Sequence, residues 1–559
     1  MIYCRFVLRK AGSIGRFTGR FTSPTSVRDF HTMPRILAIV RDWFQNYRYF
    51  SKATICIQGL VFSHSFATHA IVSILITYLT TMWKYPHAQT AVVVMNMQDG
   101  VLDIMVIILA HIPRTYIGLF RVIATTNASY IIGLLLLWLS AGYMSDGTAS
   151  RVFYGAMVLV TLGEAGRWAA LREFLDEQYS REQNHAERTY DENKDKKEAL
   201  WMLPWFLGAV IPLFLLKTTW PQRFMISTIA MTVSYLGFLL GFPYYFTYNM
   251  TNTEQGQDAR PEEVNYLEQA PRVPEPTRSG NVRRLINILR KDERFLIEAL
   301  AIWLAFLLAY SVVKAAGSTF FFQRMDYLDN PFDNYDPAVY LNVFASFSKW
   351  LISFLWNLIP RNWKPSRLRI SYGMACIVLC CLVAWQVESY RLNTTNMSIF
   401  WLVPQFFYLG VMEGLAMFGM IDFLVDRVSA GDKVMVAYYG SHTTVLIIGI
   451  GKILVGLSVL ALRGSWFDDN SLDASHLHKY YRALTTLTSV VFFFHCCIAF
   501  YYYTREELQD ETPSSVTIEM VNQNQPQIDP SPHNPDNAFT ETLDDRVGLS
   551  YLLGQFVGQ

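Results

Sequence analysis

A glutamate inside an apolar stretch is the first candidate for a functional residue in this sequence. Residues 398–427 read SIFWLVPQFFYLGVMEGLAMFGMIDFLVDR, and Glu413 stands in their middle. A helix needs about 20 residues to cross a bilayer, and this stretch is longer than that. An ionisable side chain at membrane depth is costly and usually faces a polar cavity or a partner. Glu413 is therefore a candidate for a transport pathway, and the alternative is a carboxylate buried only for packing.

Two lysines in earlier apolar stretches are candidate partners of this carboxylate. Lys314 and Lys349 lie in the same half of the chain as Glu413. Opposite charges that pair across a cavity lower the cost of burying each one. The three residues together are predicted to form a substrate-binding site. The other ionisable groups that fall inside apolar stretches are His64, His69, Asp99, Asp103, Arg121, Glu164, Arg167, Asp422, His442, Lys452 and His495.

Two histidines and the same carboxylate are the candidates for proton coupling: His64, His69 and Glu413. Histidine changes its charge near neutral pH, so either one could respond to a proton gradient. His64 and His69 are five residues apart, about 500° around a helix, and so do not share one stripe. Taken alone, each is also typical of a packing histidine. Asp422 stands near the predicted cytoplasmic end of its stretch, where a gate fits better than substrate contact.

The overall composition indicates a membrane protein. The chain of 559 residues is 52% hydrophobic, and only 17% of its residues are charged, against roughly 25% in soluble domains. Its formal charge of +1 argues against nucleic-acid binding, which needs a strongly basic surface. The expected partners are therefore membrane lipid and a small-molecule or ion substrate, with no nucleic acid.

The signatures of soluble enzymes and metal sites do not occur in the sequence. There is no G-x-S-x-G, no H-E-x-x-H and no P-loop, the motifs that would indicate hydrolase, metalloprotease or nucleotide chemistry. The seven cysteines form no CxxC pair, and those in apolar stretches are interpreted as packing residues. We therefore expect neither an enzyme nor a cofactor or metal site.

About twelve apolar stretches can cross a membrane, and the second and fifth are the least regular of them. Basic residues concentrate at the N-terminus, in 248–294 and in 361–369, which fall on one side and make that side cytoplasmic by the positive-inside rule. The predicted spans are 54–82, 91–112, 116–143, 149–171, 200–217, 223–247, 295–322, 339–360, 369–388, 398–426, 434–462 and 481–503.

The long middle loop divides the chain into two halves of about six helices each, the arrangement of major facilitator transporters. The prediction is thus an all-α membrane protein with two six-helix bundles. The predicted domains are a cytosolic basic segment 1–53, an N-terminal bundle 54–247, a cytoplasmic linker 248–294, a C-terminal bundle 295–503 and a disordered cytosolic tail 504–559. The end of the linker is either an amphipathic helix or the exposed start of the next helix. Whether residues 1–32 are a transit peptide or an upstream start stays open. The plasma membrane is the default location, with the vacuolar or an organelle membrane as alternatives.

Several motifs of the sequence resemble the plant nitrate/peptide transporters. The stretch SIFWLVPQFFYLGVMEGLA resembles the tenth helix of that family, including its glutamate, here Glu413. GSTFFF at 317–322 resembles the end of its seventh helix, and GFPYYF at 241–246 the end of its sixth. The chain is thus similar, over about 57–505, to the proton-dependent oligopeptide transporter family of the major facilitator superfamily. This resemblance implies alternating-access transport of nitrate, a peptide or another small organic solute.

The sequence departs from this family at the residues that the resemblance assigns to proton coupling and, for the fourth-helix lysine, to contact with the substrate carboxylate. The first-helix motif Glu-x-x-Glu-Arg/Lys aligns to Val61, His64 and Ser65, and the fourth-helix lysine aligns to Trp168, beside Arg167. The candidates for gate or inter-helix contacts are Arg114, Glu164, Arg167 and Asp422.

Three functions are compatible with these departures. Transport could be uncoupled, proton coupling could have moved to His64, His69 or Glu413, or the protein could be a non-transporting sensor or partner subunit. The charges of the second half favour a transporter, which we expect to act as a monomer.

Overall fold

The computed structural model describes most of the apolar part of the chain. Most of the basic N-terminal segment and of the linker, including the predicted amphipathic helix, nearly all of the predicted tail and the gate candidate Arg114 lie outside the described residues. The described residues are 52–81, 88–112, 118–183, 201, 203–245, 293–331, 336–358, 366–394, 397–426, 433–463 and 477–510.

In the residues that the structure describes, the N-terminal half consists of six helices, several of which are interrupted. Helix α1 is Lys52–Ala70, followed by the 3₁₀ turn Val72–Ile74 and the continuation Leu75–Thr81. Helix α4 is Asp146–Gly166, which continues through the π-turn Arg167–Leu171 into Arg172–Gln183. The others are α2 Ala88–Ile112, α3 Leu119–Gly142, α5 Leu203–Leu215 and α6 Trp220–Leu240.

The C-terminal half also consists of six helices, and two of them contain π-turns. Helix α7 is Glu293–Ala305 and continues through the π-turn Phe306–Tyr310 into Ser311–Ser318, with a last turn at Phe320–Gln323. Helix α10 is Val403–Met412, the π-turn Glu413–Met417 and Phe418–Asp426. The others are α8 Pro337–Leu358, α9 Ser366–Arg391, α11 Lys433–Ala461 and α12 Leu477–Asp510.

Ten of these helices are long and apolar enough to cross a membrane. The exceptions are α4, which carries charged residues such as Arg151 and Glu164, and α5, which the sequence already indicated to be short. Helix α12 continues to Asp510, beyond the predicted end of the last span at 503. The all-α class expected from the sequence is confirmed, and the described residues contain no β-strand.

Close packing inside each half depends on glycines at helix crossings. In the N-terminal half, a Cβ on Gly163 of α4 would lie 2.7 Å from the Tyr130 ring of α3. In the C-terminal half, a Cβ on Gly414 of α10 would lie 2.7 Å from the Lys349 carbonyl oxygen of α8. Small residues let membrane helices approach this closely. The crossing at Gly414 thereby brings α8 and α10 together beside Glu413.

The two halves meet along two lines of contact. Helices α2 and α11 pack against each other along their lengths, while α8 packs on α1 and α5. At the predicted outer end, the last turn of α7 contacts the last part of α1. The residues between these lines form the centre of the molecule.

Candidate functional site

Glu413 lies between two lysines from neighbouring helices. Lys314 of α7 donates a hydrogen bond to Glu413 Oε1, and Lys349 Nζ of α8 lies 3.5 Å from Glu413 Oε2. The side chains of Lys349 and Glu413 are each 8% exposed, and that of Lys314 is 24% exposed. The structure therefore brings the three predicted substrate-binding residues together. One carboxylate balances two ammonium groups, which leaves one excess positive charge in this cluster.

A narrow cavity adjoins this cluster. Its free volume is about 10 Å³, room for about one water molecule, and its lining combines aromatic side chains with Lys349 and Glu413. Trp168 comes from the N-terminal half and the other lining residues from the C-terminal half, so the cavity lies between the halves. The lining residues are Trp168, Tyr310, Lys349, Glu413, Met417, Phe418 and Val445.

Three π-turns supply much of this lining. Trp168 belongs to Arg167–Leu171 of α4, Tyr310 to Phe306–Tyr310 of α7, and Glu413 and Met417 to Glu413–Met417 of α10. A π-turn inserts a residue into the helical register and occurs frequently at functional sites. At each of these turns the local change of register presents a side chain to the cavity. The sequence analysis did not detect them, because a π-turn has no composition signal of its own.

The gate or inter-helix candidates Glu164 and Arg167 pair with each other inside the N-terminal half. Arg167 Nε and Nη2 donate to Glu164 Oε2 at 2.9 and 2.7 Å. Thr68 of α1 and Tyr130 of α3 donate to Glu164 Oε1 at 2.7 and 3.2 Å. The Arg167 guanidinium also stacks at 4.6 Å on the ring of Trp205. These contacts join helices within one half. The Arg167 guanidinium also lies 4.6 Å from the centre of the Trp168 ring, and Trp168 lines the cavity.

The histidine candidates for proton coupling are buried and have different partners. His64 Nε2 lies 2.6 Å from Asn127 Oδ1 of α3. His69 Nε2 lies 3.1 Å from Ser346 Oγ of α8, across the contact between the halves. The two side chains thus point to different neighbours, as their spacing indicates. Ser65, which stands at another position of the missing first-helix motif, donates to the Trp205 carbonyl oxygen at 2.5 Å.

Asp422 pairs with an arginine that sequence reasoning did not assign to a site. Arg369 Nη1 donates to Asp422 Oδ2 at 2.7 Å, and its Nη2 donates to the Gly414 carbonyl oxygen at 3.2 Å. Its guanidinium lies 5.0 Å from the centre of the Phe418 ring, next to the cavity. In the sequence, Arg369 counts only as a loop charge that sets orientation. The structure places it at the beginning of α9, where it ties α9 to α10.

Two further ion pairs join the halves and were also missed. Lys452 Nζ of α11 lies 2.8 Å from Asp103 Oδ2 of α2. Arg223 Nη1 of α6 donates to Asp336 Oδ2, beside the beginning of α8, at 2.5 Å. Asp103 and Lys452 are visible in the sequence as charges inside apolar stretches. Their pairing depends on which helices cross, which the sequence does not reveal.

Two proteins of Arabidopsis thaliana match the chain over most of its length. Protein NRT1/PTR FAMILY 5.12 of Arabidopsis thaliana is 27% identical over 552 residues, which cover 85% of this chain and 95% of the relative. Protein NRT1/PTR FAMILY 5.13 of the same plant is 25% identical over 527 residues, covering 78% and 91%. The family resemblance seen in the sequence is confirmed. No protein-family model matches the sequence.

Solved structures of POT family transporters have the same fold. An auto-inhibited POT family peptide transporter matches with a TM-score of 0.58 at 15% identity, covering 81% of this chain and 97% of that one. A POT family transporter in complex with 5-aminolevulinic acid matches with a TM-score of 0.59 at 14% identity, covering 80% and 96%. The major facilitator fold expected from the sequence is thus confirmed. The chain is an integral, multi-pass membrane protein.

Proposed function

We propose that this protein is a transporter that moves a small solute across a membrane by alternating access. The cluster of Glu413, Lys314 and Lys349 between the two halves carries this proposal. A carboxylate with two ammonium groups at the centre of a membrane protein is costly to bury. In alternating access these charges face one side of the membrane and then the other. A solute can therefore bind to them from one side and leave on the other.

We further propose that the solute carries an anionic group. Glu413 is shared by Lys314 and Lys349, so an incoming nitrate or carboxylate can take over one ammonium group while Glu413 keeps the other. The aromatic rings of Trp168 and Tyr310 then cover the rest of a small solute. Trp168 stands where the family resemblance assigns a lysine to carboxylate contact, so Lys314 and Lys349 are the cations available for this contact at the cavity.

A non-transporting sensor or partner subunit is the second candidate. The contacts of the first helix favour it, because His64 and Ser65 are engaged with Asn127 and Trp205 rather than with a coupling group. The cavity and its charged cluster argue for transport instead. The predicted location is the plasma membrane, with the vacuolar or an organelle membrane as alternatives.

Uptake by proteoliposomes that contain the purified full-length chain tests both proposals. Nitrate, dialanine and a small monocarboxylate, each of which carries an anionic group, serve as probes, with and without a pH gradient, and the uncharged amide of the monocarboxylate serves as the comparison. Saturable flux of at least one of the three anionic probes is expected. Flux of the uncharged amide alone would contradict the anionic group, and no flux of any probe would favour the sensor. Accumulation with an inward proton gradient separates coupled transport from uncoupled transport.

A further inference from the structure

Asp103 and Lys452 form a buried ion pair between the two halves. The distance between Lys452 Nζ and Asp103 Oδ2 is 2.8 Å, and the side chains are 7% and 3% exposed. Asp103 belongs to α2 and Lys452 to α11, so the pair spans the contact between the halves. The cavity beside Glu413 is lined by other residues, which makes this pair a separate site.

The pair stands where α2 and α11 approach each other tightly. A Cβ on Gly449 of α11 would lie 2.6 Å from Asp103 Cβ and 2.9 Å from the Gly100 carbonyl oxygen of α2. Glycine thus permits backbone contact at this crossing. We call the packed faces of α2 and α11 the α2–α11 seam. Any tilt of one helix on the other at this crossing changes the distance between Asp103 and Lys452.

A second polar side chain of the seam favours the entry of water. Asn96 is seven residues before Asp103, about two helical turns away on the same face of α2, and packs against Gly456 of α11. It is fully buried, and neither of its amide atoms has a hydrogen-bond partner among the described residues. An unpaired buried amide costs about 1–3 kcal/mol. Water that enters between α2 and α11 would remove this cost.

We infer that Asp103 is a proton-binding carboxylate whose protonation lets the α2–α11 seam open during transport. Breaking a buried ion pair costs about 3–5 kcal/mol, which holds the seam closed while both partners are charged. A proton from the water on one side binds Asp103 and makes it a neutral acid, while Lys452 keeps its own proton. The proton leaves to the other side when Asp103 pairs with Lys452 again. This inference rests on the proposed transport function.

The surroundings of the pair single out Asp103 among the nearby carboxylates. One proton on Asp103 removes the only carboxylate charge of a pair with one lysine and frees that lysine to meet water, whereas Glu413 is held by two lysines. The charged groups near the pair are Asp99 on α2, Lys314 on α7 and Glu413 on α10, while α4, which packs against α2, carries the mutually paired Glu164 and Arg167. Asp99, one turn before Asp103 on the same helix, is only partly buried and offers a matched control.

Proteoliposomes with the full-length chain test the inference, using nitrate and dialanine as probes. Asp103→Asn resembles the protonated acid. It is expected to retain at least half of the exchange of labelled probe at equal pH, but to lose accumulation driven by an inward proton gradient by about tenfold, which corresponds to about 1.4 kcal/mol. Asp99→Asn is expected to retain both activities. The double variant D103N/K452Q, which leaves no unpaired charge if the single variant misfolds, is expected to behave like Asp103→Asn.

Hydrogen–deuterium exchange gives a readout that needs no solute. After correction for the intrinsic effect of pH, peptides of α2 and α11 are expected to exchange faster at acidic than at neutral pH in the wild type, and equally at both in D103N/K452Q. Proton-driven accumulation by either Asp103 variant would overturn the inference, as would wild-type exchange that does not depend on pH. A wild type that moves the probe without any response to a proton gradient would overturn it too, while leaving the proposed transport function intact.

Discussion

Arg167 and Glu413 occupy corresponding positions in the two halves of the molecule. Each is the first residue of a π-turn, and each lies in the fourth helix of its half. Arg167 pairs with Glu164 three residues earlier on its own helix, whereas Glu413 pairs with lysines from two other helices. The charge of Arg167 is thus neutralised within its own helix, whereas the charge of Glu413 is shared between two lysines of other helices. Solute contact is therefore expected chiefly from the C-terminal half.

Glu413→Gln should reduce transport by about tenfold or more. The variant leaves Lys314 and Lys349 without their common counter-charge, and breaking a buried pair costs about 3–5 kcal/mol, of which 1.4 kcal/mol already corresponds to a factor of ten. The initial rate of probe uptake, normalised to the amount of reconstituted protein, measures the effect. Asp426→Asn, an exposed carboxylate in the same helix, is the control and should keep the wild-type rate. Unchanged flux in Glu413→Gln would remove Glu413 from the site.

Exchanging the charges of Lys314 and Glu413 should restore part of the lost activity. Lys314→Glu alone places two carboxylates side by side, and Glu413→Lys alone gathers three ammonium groups, so each single variant should be inactive. The double variant K314E/E413K restores opposite charges at the contact. Its uptake should exceed that of either single variant by at least about tenfold. Equal activities of the single and double variants would show that the contact between Lys314 and Glu413 does not matter for transport.

The sequence predicted the cluster around Glu413 better than the contacts between the halves. Charges inside apolar stretches are conspicuous, so Glu413, Lys314 and Lys349 could be recognised without a structure. Asp103 and Lys452 were equally visible, but 349 residues of sequence separate them, and their pairing is decided by the crossing of α2 and α11. No local pattern reports such a crossing.

The misjudged residues have a physical reason in common. Arg369 belongs to a basic loop by composition, and basic loops indicate orientation, so its inward contact with Asp422 was hidden. The π-turns depend on tertiary packing rather than on a residue preference, and the helical pattern of 398–427 therefore predicted only an uninterrupted span. The spans themselves were predictable because apolar length is a property of the sequence alone.

Gly414→Ala should disturb the site without removing a charge. A Cβ at this position would lie 2.7 Å from the Lys349 carbonyl oxygen and 2.9 Å from Ser353 Oγ, so α8 and α10 must move apart. Lys349 then moves away from Glu413, and both the rate of uptake and the melting temperature of the purified protein should fall. Gly155→Ala in α4 is the matched control, because no atom lies within 4 Å of its added Cβ. Its melting temperature should stay the same or rise, since alanine favours a helix over glycine by about 0.5–1 kcal/mol. If uptake and melting temperature changed equally in Gly414→Ala and Gly155→Ala, the crossing of α8 and α10 at Gly414 would not be what positions Lys349 beside Glu413.

Asp336→Asn should make the predicted outer end of the molecule open more readily. Arg223 of α6 and Asp336 join the two halves there, and Asp336 Oδ1 also accepts a hydrogen bond from the Ala338 amide at the beginning of α8. Asparagine can keep this cap but loses the charge. Weakening the closed state by about 1 kcal/mol changes its population relative to the open state by about fivefold.

The half-saturation concentration for solute supplied from outside measures this shift. It should fall by up to about fivefold in Asp336→Asn, because the apparent affinity for a solute rises with the population of the state that binds it. Arg391→Gln is the control, since Arg391 pairs with Glu388 on its own helix at the same end of the molecule. The exchanged pair R223D/D336R should return the half-saturation towards the wild-type value. If Asp336→Asn and Arg391→Gln shift it equally, the effect belongs to surface charge and not to a contact between the halves.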